Sequence, residues 1–218
     1  NLNVKDYDGD HYYMWDAQDQ YWKGHEWNLG GSQPTLGTQP ASSDYPKSGD
    51  TRYYNNSFPG GGVSNPATHI SFSNVPNINE ISWYCTYGDP RWDGDELWTT
   101  MGHLYKGGMW FKKKASISGY NKNTAVNGID WRINGGIGSW PISHTLPSAS
   151  DAGNFFYLPA LGNYASGQLT NVGISGHYWT SSANTWNSND AYYLYFNGGG
   201  VNLYSTSRPY GFRAEAFE

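Results

Sequence analysis

Hydrophobic and polar positions alternate most regularly near the end of the 218-residue chain. In "AYYLYFN" (191–197), Tyr192, Leu194 and Phe196 share one side and Tyr193, Tyr195 and Asn197 the other, because successive side chains of a strand point to opposite faces. "VNLYS" (201–205) keeps the rule, with Val201 and Leu203 set against Asn202 and Tyr204. The apolar set predicts a core face. The polar set predicts an outward face that runs on into "STSRPY" (205–210). "NFFYLPALG" (154–162), "GHYWTSS" (176–182) and "YGFRAEAF" (210–217) read as further strands.

Two segments carry helical signals instead. "NVPNINEISWYCTYGD" (74–89) offers Asn77 or Asn79 as a cap, an acid in the first turn, apolar Ile78, Ile81, Trp83, Tyr84 and Cys85, and a glycine stop. "DGDELWTTMGHLYKGG" (93–108) offers Asp93 or Asp95 as a cap, Leu97, Met101, Leu104 and Tyr105 at helical spacing, and Gly107-Gly108 as terminator. "MWFKKKASI" (109–117) reads as a strand and residues 118–153 as a long loop. Residues 1–74 are loop-rich, with ring anchors in "YYMWD" (12–16) and "YWKGHEW" (21–27) and long loops over 30–50 and 58–66. The expectation is one α+β domain over 1–218, with two helices packed on a mainly antiparallel twisted sheet and long ordered loops.

Composition changes what the core must be made of. Hydrophobic residues are 37% of the chain, yet 17% are aromatic, with 11 Trp and 19 Tyr, so rings must build the interior. Charged residues are only 14%, against about 25% in an average domain. A net charge of −5 argues against nucleic acid as a partner, since phosphate binding needs clustered Lys and Arg. "FKKK" (111–114) reads as a solvated strand end. No apolar run approaches the roughly 18 residues of a spanning helix, so no direct membrane insertion is expected. The start at Asn1, without an initiator Met, reads as a trimmed end.

The patterns that would mark a catalytic or metal site each fail separately. Asp6, Asp8 and Asp10 alternate as in a calcium loop but lack its closing Glu, and read as a polar turn. Asp93, Asp95 and Glu96 suit a helix start. The six histidines are scattered without metal-ligand spacing, and "GISGH" (173–177) lacks the spacing of a nucleophile elbow. Neither glycine triplet, at 60–62 or 198–200, precedes a Lys-Ser/Thr pair or a helix. Cys85, the one cysteine, excludes an intramolecular disulfide and reads as core packing. No catalytic residue, metal or cofactor is therefore expected.

From Gly176 to Arg213 the chain has no Lys, Glu, Gln or Met. It has Tyr, Ser, Asn, Gly and Thr, the vocabulary of antibody loops, in which rigid rings give contact area and small polar groups give adaptable hydrogen bonds. This predicts a ligand-binding surface of His177, Tyr193, Tyr195, Asn197, Asn202, Tyr204, Ser205, Thr206, Ser207, Pro209 and Tyr210, with the tyrosines as anchors that folding does not need.

The motifs "LPALG", "GHYWTSS", "AYYLYF" and the ending "RPYGFR", together with "PNINEISWY" and "GDPRWDGDELWTTMGHLYKGGMWFKKK", resemble a bacterial family common in Bacteroidales and Fibrobacter, the major paralogous domain. The resemblance covers roughly 75–218 and implies a C-type-lectin-like fold. It also implies kinship with the variable proteins of diversity-generating retroelements, whose C-terminal segment, here 176–213, is rewritten at adenine-containing codons. Such rewriting yields residues like Tyr, Asn, Ser, Thr and His but never Trp, so Trp179 and Trp186 would be scaffold, while Arg208, Phe212 and Arg213 would hold the backbone. The implied function is non-catalytic ligand binding, as an adhesin or phage receptor-binding protein, outside the cell, at its surface or on a phage particle. The implied partner is a protein or glycan on another cell or surface. Sugar-binding lectins of this fold use a calcium motif of which "TWNSND" (185–190) is only a broken echo. The alternatives are a formylglycine-generating-like oxidase, which needs paired cysteines or copper that lone Cys85 does not supply, and a pilus or capsid subunit with a constant assembly face.

Overall fold

The computed structural model describes residues 3–21, 66–165 and 167–218; the loop expected over 30–50 and nearly all of that over 58–66 lie outside the described residues. Two main sheets are formed by the described residues. One takes the order β1 (Lys5–Tyr7), β3 (Arg91–Thr100), β4 (His103–Lys112), β6 (Phe155–Pro159). The other takes the order β2 (Tyr12–Tyr13), β12 (Phe212–Arg213), β9 (Ser175–Ala183), β10 (Asp190–Asn197), β11 (Gly200–Ser207), β5 (Gly138–Trp140). β7 (Leu161–Ala165) joins β9 and carries β8 (Gln168–Val172). Pairing is mostly antiparallel, with parallel contacts at β1–β3, β12–β9 and β7–β9. With one three-turn and one single-turn α-helix among the described residues, the protein is an α+β fold dominated by sheet.

The first helical segment forms as its sequence dictates. In α1 (Ile78–Tyr87) the Asn77 side chain accepts from Glu80 N while the Glu80 carboxylate accepts from Asn77 N, a reciprocal capping box, and Gly88 ends the helix. Its buried stripe of Ile78, Ile81, Tyr84 and Cys85 packs with Leu194, Phe196, Val201 and Leu203, with Met109 and Phe111 from β4 and Phe156 and Leu158 from β6. Polar Asn79 is fully buried in α1, and its side chain is satisfied: Oδ1 accepts from Trp131 N at 2.8 Å and Nδ2 donates to Asp130 at 2.8 Å. That pair docks α2 (Trp131–Asn134), which with β5 and the start of a 3-10 turn at Ala152–Asn154 is the regular structure inside the predicted 118–153 loop.

The second predicted helix, over 93–108, is a β-hairpin. β3 and β4 pair antiparallel from Arg91↔Trp110 to Thr100↔His103, and Met101 (φ 49°) and Gly102 (φ 78°) make the turn. The helical stripe is not a buried stripe: Leu104 is 54% exposed, whereas Trp98, off the stripe, is buried. Trp98 and the β-branched pair Thr99-Thr100 suit a strand, and pairing with β1 and β6 on either side outweighs the local helical spacing. Asp93 keeps a capping role, accepting from Asp95 N and Glu96 N, but inside a bulge of β3. The Gly107-Gly108 pair is no terminator. It lies within β4, where a Cβ on Gly108 would stand 2.5 Å from Leu158 O and from the Tyr157 ring. β4 ends at Lys112, and Lys114–Ser116 turn as a short 3-10 helix, so the strand expected over 109–117 is shorter than predicted.

A second core lies apart from the first. Tyr12, Met14, Trp15 and Tyr21 from the N-terminal segment pack with Phe72, Trp98, Leu161, Tyr164, Trp179 and Phe212. Two buried arginines fasten it. The Arg208 guanidinium lies 4.6 Å from the Trp15 ring centroid, and Trp15 N donates to Arg208 O at 2.9 Å. Arg213 sits over Tyr12, donates to Asp8 O at 2.6 Å and pairs with Glu215. The Asp6/Asp8/Asp10 segment is a polar turn: Asp6 accepts from Thr99 Oγ1 and Asp8 accepts from Asp10 N.

Candidate binding face

Register decides which side chains meet. β10 pairs with β11 as Tyr193↔Tyr204 and Tyr195↔Asn202, and with β9 as Tyr193↔Trp179 and Tyr195↔His177. Since directly opposed residues share a face, His177, Tyr193, Tyr195, Asn197, Asn202, Tyr204 and Thr206 come together across three strands. The inner side of the same strands carries Tyr192, Leu194, Phe196, Val201 and Leu203, all buried in the first core. The strand parity read from the sequence therefore gives the correct sides.

The other predicted residues fall differently. Ser205 and Ser207 oppose Tyr192 and Asp190, on the other parity from Tyr204. Ser205 Oγ accepts from Asn184 Nδ2 at 2.7 Å, which turns it toward the 184–187 loop, and Ser207 is exposed at the strand end. Pro209 is half-buried. Tyr210 is 37% exposed and stacks on Phe212 at 5.7 Å between ring centroids, so it rejoins the face at its β12 side.

Two regions divide this face. At the β9–β12 side, Trp179 and Phe212 are buried, with centroids 4.4 Å apart, and Trp179 Nε1 donates to Tyr13 O at 2.7 Å. Tyr193 leans on this floor, 4.8 Å from Phe212 and 6.1 Å from Trp179. It is thus partly a core ring, contrary to the expectation that every outward tyrosine is dispensable for folding. Burial, with smaller contributions from Tyr195, Tyr204 and Tyr210, pushes its hydroxyl up to about 12. At the β11–β5 side the face is open: Tyr204 is 37% exposed and its hydroxyl meets Ser139 Oγ from β5 at 2.9 Å.

His177, on β9, belongs to the first region and reaches toward β10. Its ring centroid lies 4.9 Å from Tyr195 and 5.0 Å from Phe212, and Nε2 bonds Ser175 Oγ at 3.0 Å, while Nδ1 is buried without a partner. Burial pushes the imidazole down to about 4, so it is neutral near pH 7. Asn197 donates to the Tyr195 hydroxyl at 2.9 Å and holds that ring in place. None of the seven residues grouped by register carries a charge at neutral pH. The surface offers ring area, amides and hydroxyls.

Sequence reasoning missed Ser139 and Ser175, and misplaced Trp186. Continuing the alternation back from His177 reaches Ser175; no local signal ties Ser139 to Asn202, its opposite on β11. Trp186, expected as scaffold alongside Trp179, is 67% exposed, its indole N–H held by Asn134 O at 3.2 Å. Among the described residues no group of three or more His, Cys, Asp or Glu is placed to hold a metal ion. Cys85 is buried in the first core, where burial raises its thiol far above the ordinary range. Among the described residues no helix is long and apolar enough to cross a membrane.

Fold and face together define an α+β protein presenting an uncharged, tyrosine-rich patch on one side of its larger sheet. Compared with known proteins, the chain matches no protein-family model, and no curated protein or solved structure is significantly similar to it.

Proposed function

We propose that the chain is a non-catalytic ligand-binding domain of C-type-lectin-like fold whose face across β9, β10 and β11 is a diversifiable recognition surface, of the kind carried by retroelement variable proteins. The observation that supports this best is the separation of roles along each strand. Residues that build the core alternate with residues that face out, so Tyr195, Asn197, Asn202, Tyr204 and Thr206 can change without emptying the first core. Arg208, Phe212 and Arg213 are buried and act as the fixed frame around them. Recognition would rest on ring anchors Tyr195, Tyr204 and Tyr210 with amide and hydroxyl partners beside them, the economy of a paratope. The partner is a protein or glycan on another surface, met outside the cell that makes the domain.

A display library randomised at Tyr195, Asn197, Asn202, Tyr204 and Thr206 tests the reading. Most members are expected to stay protease-resistant, and panning against unrelated protein targets is expected to yield binders. A library that is mostly protease-sensitive would show that these positions are structural. The diversification itself predicts a near-copy of codons 176–213 beside a reverse transcriptase gene in the source DNA.

A further inference from the structure

Away from the tyrosine face, a cavity of about 460 Å³ opens on the smaller sheet. That size falls in the usual small-molecule range of roughly 300–1,000 Å³. Rings from all four strands line it: Tyr7 from β1, Trp98 from β3, Trp110 from β4, Phe156 and Tyr157 from β6. Their polar tips are turned elsewhere. Trp98 Nε1 donates to Gly107 O at 3.0 Å, Trp110 Nε1 donates to Asp93 at 3.1 Å, and the Tyr157 hydroxyl is buried. The two indoles therefore have no free N–H to offer a ligand, and what the lining chiefly presents is π surface.

The charges around the rings are mixed, with one more carboxylate than ammonium. Glu96, Glu215 and Glu218 line the cavity against Lys5 and Lys113. Glu215 is engaged by Arg213 and His11, Glu218 by Tyr84 and Lys114 N, and the Lys113 ammonium by Gly153 O at 2.8 Å. Glu96 is left: its carboxylate has no hydrogen-bond or ion-pair partner among the described residues, yet it helps raise both the Tyr7 and Tyr157 hydroxyls after burial, so its charge reaches into the cavity. The Lys5 ammonium already sits 4.7 Å over the Tyr7 ring. Lysine is doing there what a free cation would do, since ring faces attract positive charge.

We propose that this cavity binds a small alkylated ammonium ion, with Glu96 as its counter-charge and the faces of Tyr7 and Trp110 as its contacts, over a floor that includes buried Trp98. An ammonium bearing alkyl groups suits the site because it has little need of hydrogen-bond acceptors and its charge is spread over a shell that fits against rings. Binding displaces the Lys5 side chain from Tyr7. The site is independent of the face proposed for macromolecular recognition and shares none of its residues.

Isothermal titration of the full chain with choline tests this, with the neutral tert-butyl analogue of choline as control. Choline is expected to bind saturably and the analogue about tenfold more weakly, as the loss of a cation–ring interaction implies. Glu96→Gln, an exposed change that leaves the fold intact by melting temperature, weakens choline by a similar factor, and Lys5→Met strengthens it by freeing the Tyr7 face. Absence of saturable heat, equal affinity for the analogue, full affinity in Glu96→Gln, or no gain in Lys5→Met would each overturn the assignment.

Discussion

Acid should loosen the binding face through one residue. The His177 imidazole is wedged against Tyr195 and Phe212 with Nδ1 buried and unpartnered, so the folded protein resists the imidazolium and titrates at about 4 instead of 6.5. Above pH 6.5 both folded and unfolded chains carry it neutral, and its contribution to stability is constant. As pH falls from 6.5 toward 4 the unfolded chain takes up the proton first, so stability drops with pH and levels off below about 4. A gap of that size corresponds to about 3 kcal/mol, at roughly 1.4 kcal/mol per pH unit. Denaturant midpoints measured from pH 7 to pH 4 for the wild type and His177→Gln isolate it, because every other titrating group is common to both chains. The variant is expected to lose stability at pH 7 and then to gain on the wild type by about 3 kcal/mol at pH 4. A difference that stays flat across that interval would refute the buried, neutral histidine.

Two further outcomes can be checked on the same purified protein. Tyr193→Ala should cost about 2–4 kcal/mol in chemical denaturation because it strips a ring from Phe212 and Trp179, whereas Tyr204→Ala, at an exposed position, should change stability by about 0.5 kcal/mol or less. Gly108→Ala places a methyl 2.5 Å from Leu158 O and the Tyr157 ring and should destabilise by about 1–3 kcal/mol or more, read as a fall in melting temperature; a neutral result would deny that β4 and β6 approach so closely.

What the sequence disclosed was local. The cap at Asn77 or Asn79, the acid in the first turn, the Gly88 stop and the alternation through 191–204 are fixed by neighbours within a few positions, and the structure bears them out, with Asn77 as the cap. The segment 93–108 misled because its apolar spacing fits a helix, while what decides its conformation is pairing with β1 and β6, some 50 or more positions away. Glycine carries two meanings, and Gly107-Gly108 had the less common one, close approach inside a sheet in place of a stop. In the face, parity located Tyr193, Tyr195, Asn202 and Tyr204 but did not distinguish Tyr193, which leans on a floor closed by Tyr13. It also put Ser205 and Ser207 with the tyrosines by proximity in sequence, although a strand sends neighbours to opposite sides.

The buried arginines impose an order of events on folding. Arg213 bonds Asp8 across 205 positions, and Trp15 is capped by Arg208. The rings of residues 12–21 cannot bury fully until residues 208–213 are in place, so the second core closes only when these two distant segments meet. Contacts of such separation make for slow folding and a long exposure of Trp15, Tyr12 and Phe72. The tail is thus no detachable cassette: a segment exchanged for 176–213 must bring its own Arg208, Phe212 and Arg213, or it leaves the beginning of the protein unfolded along with the end.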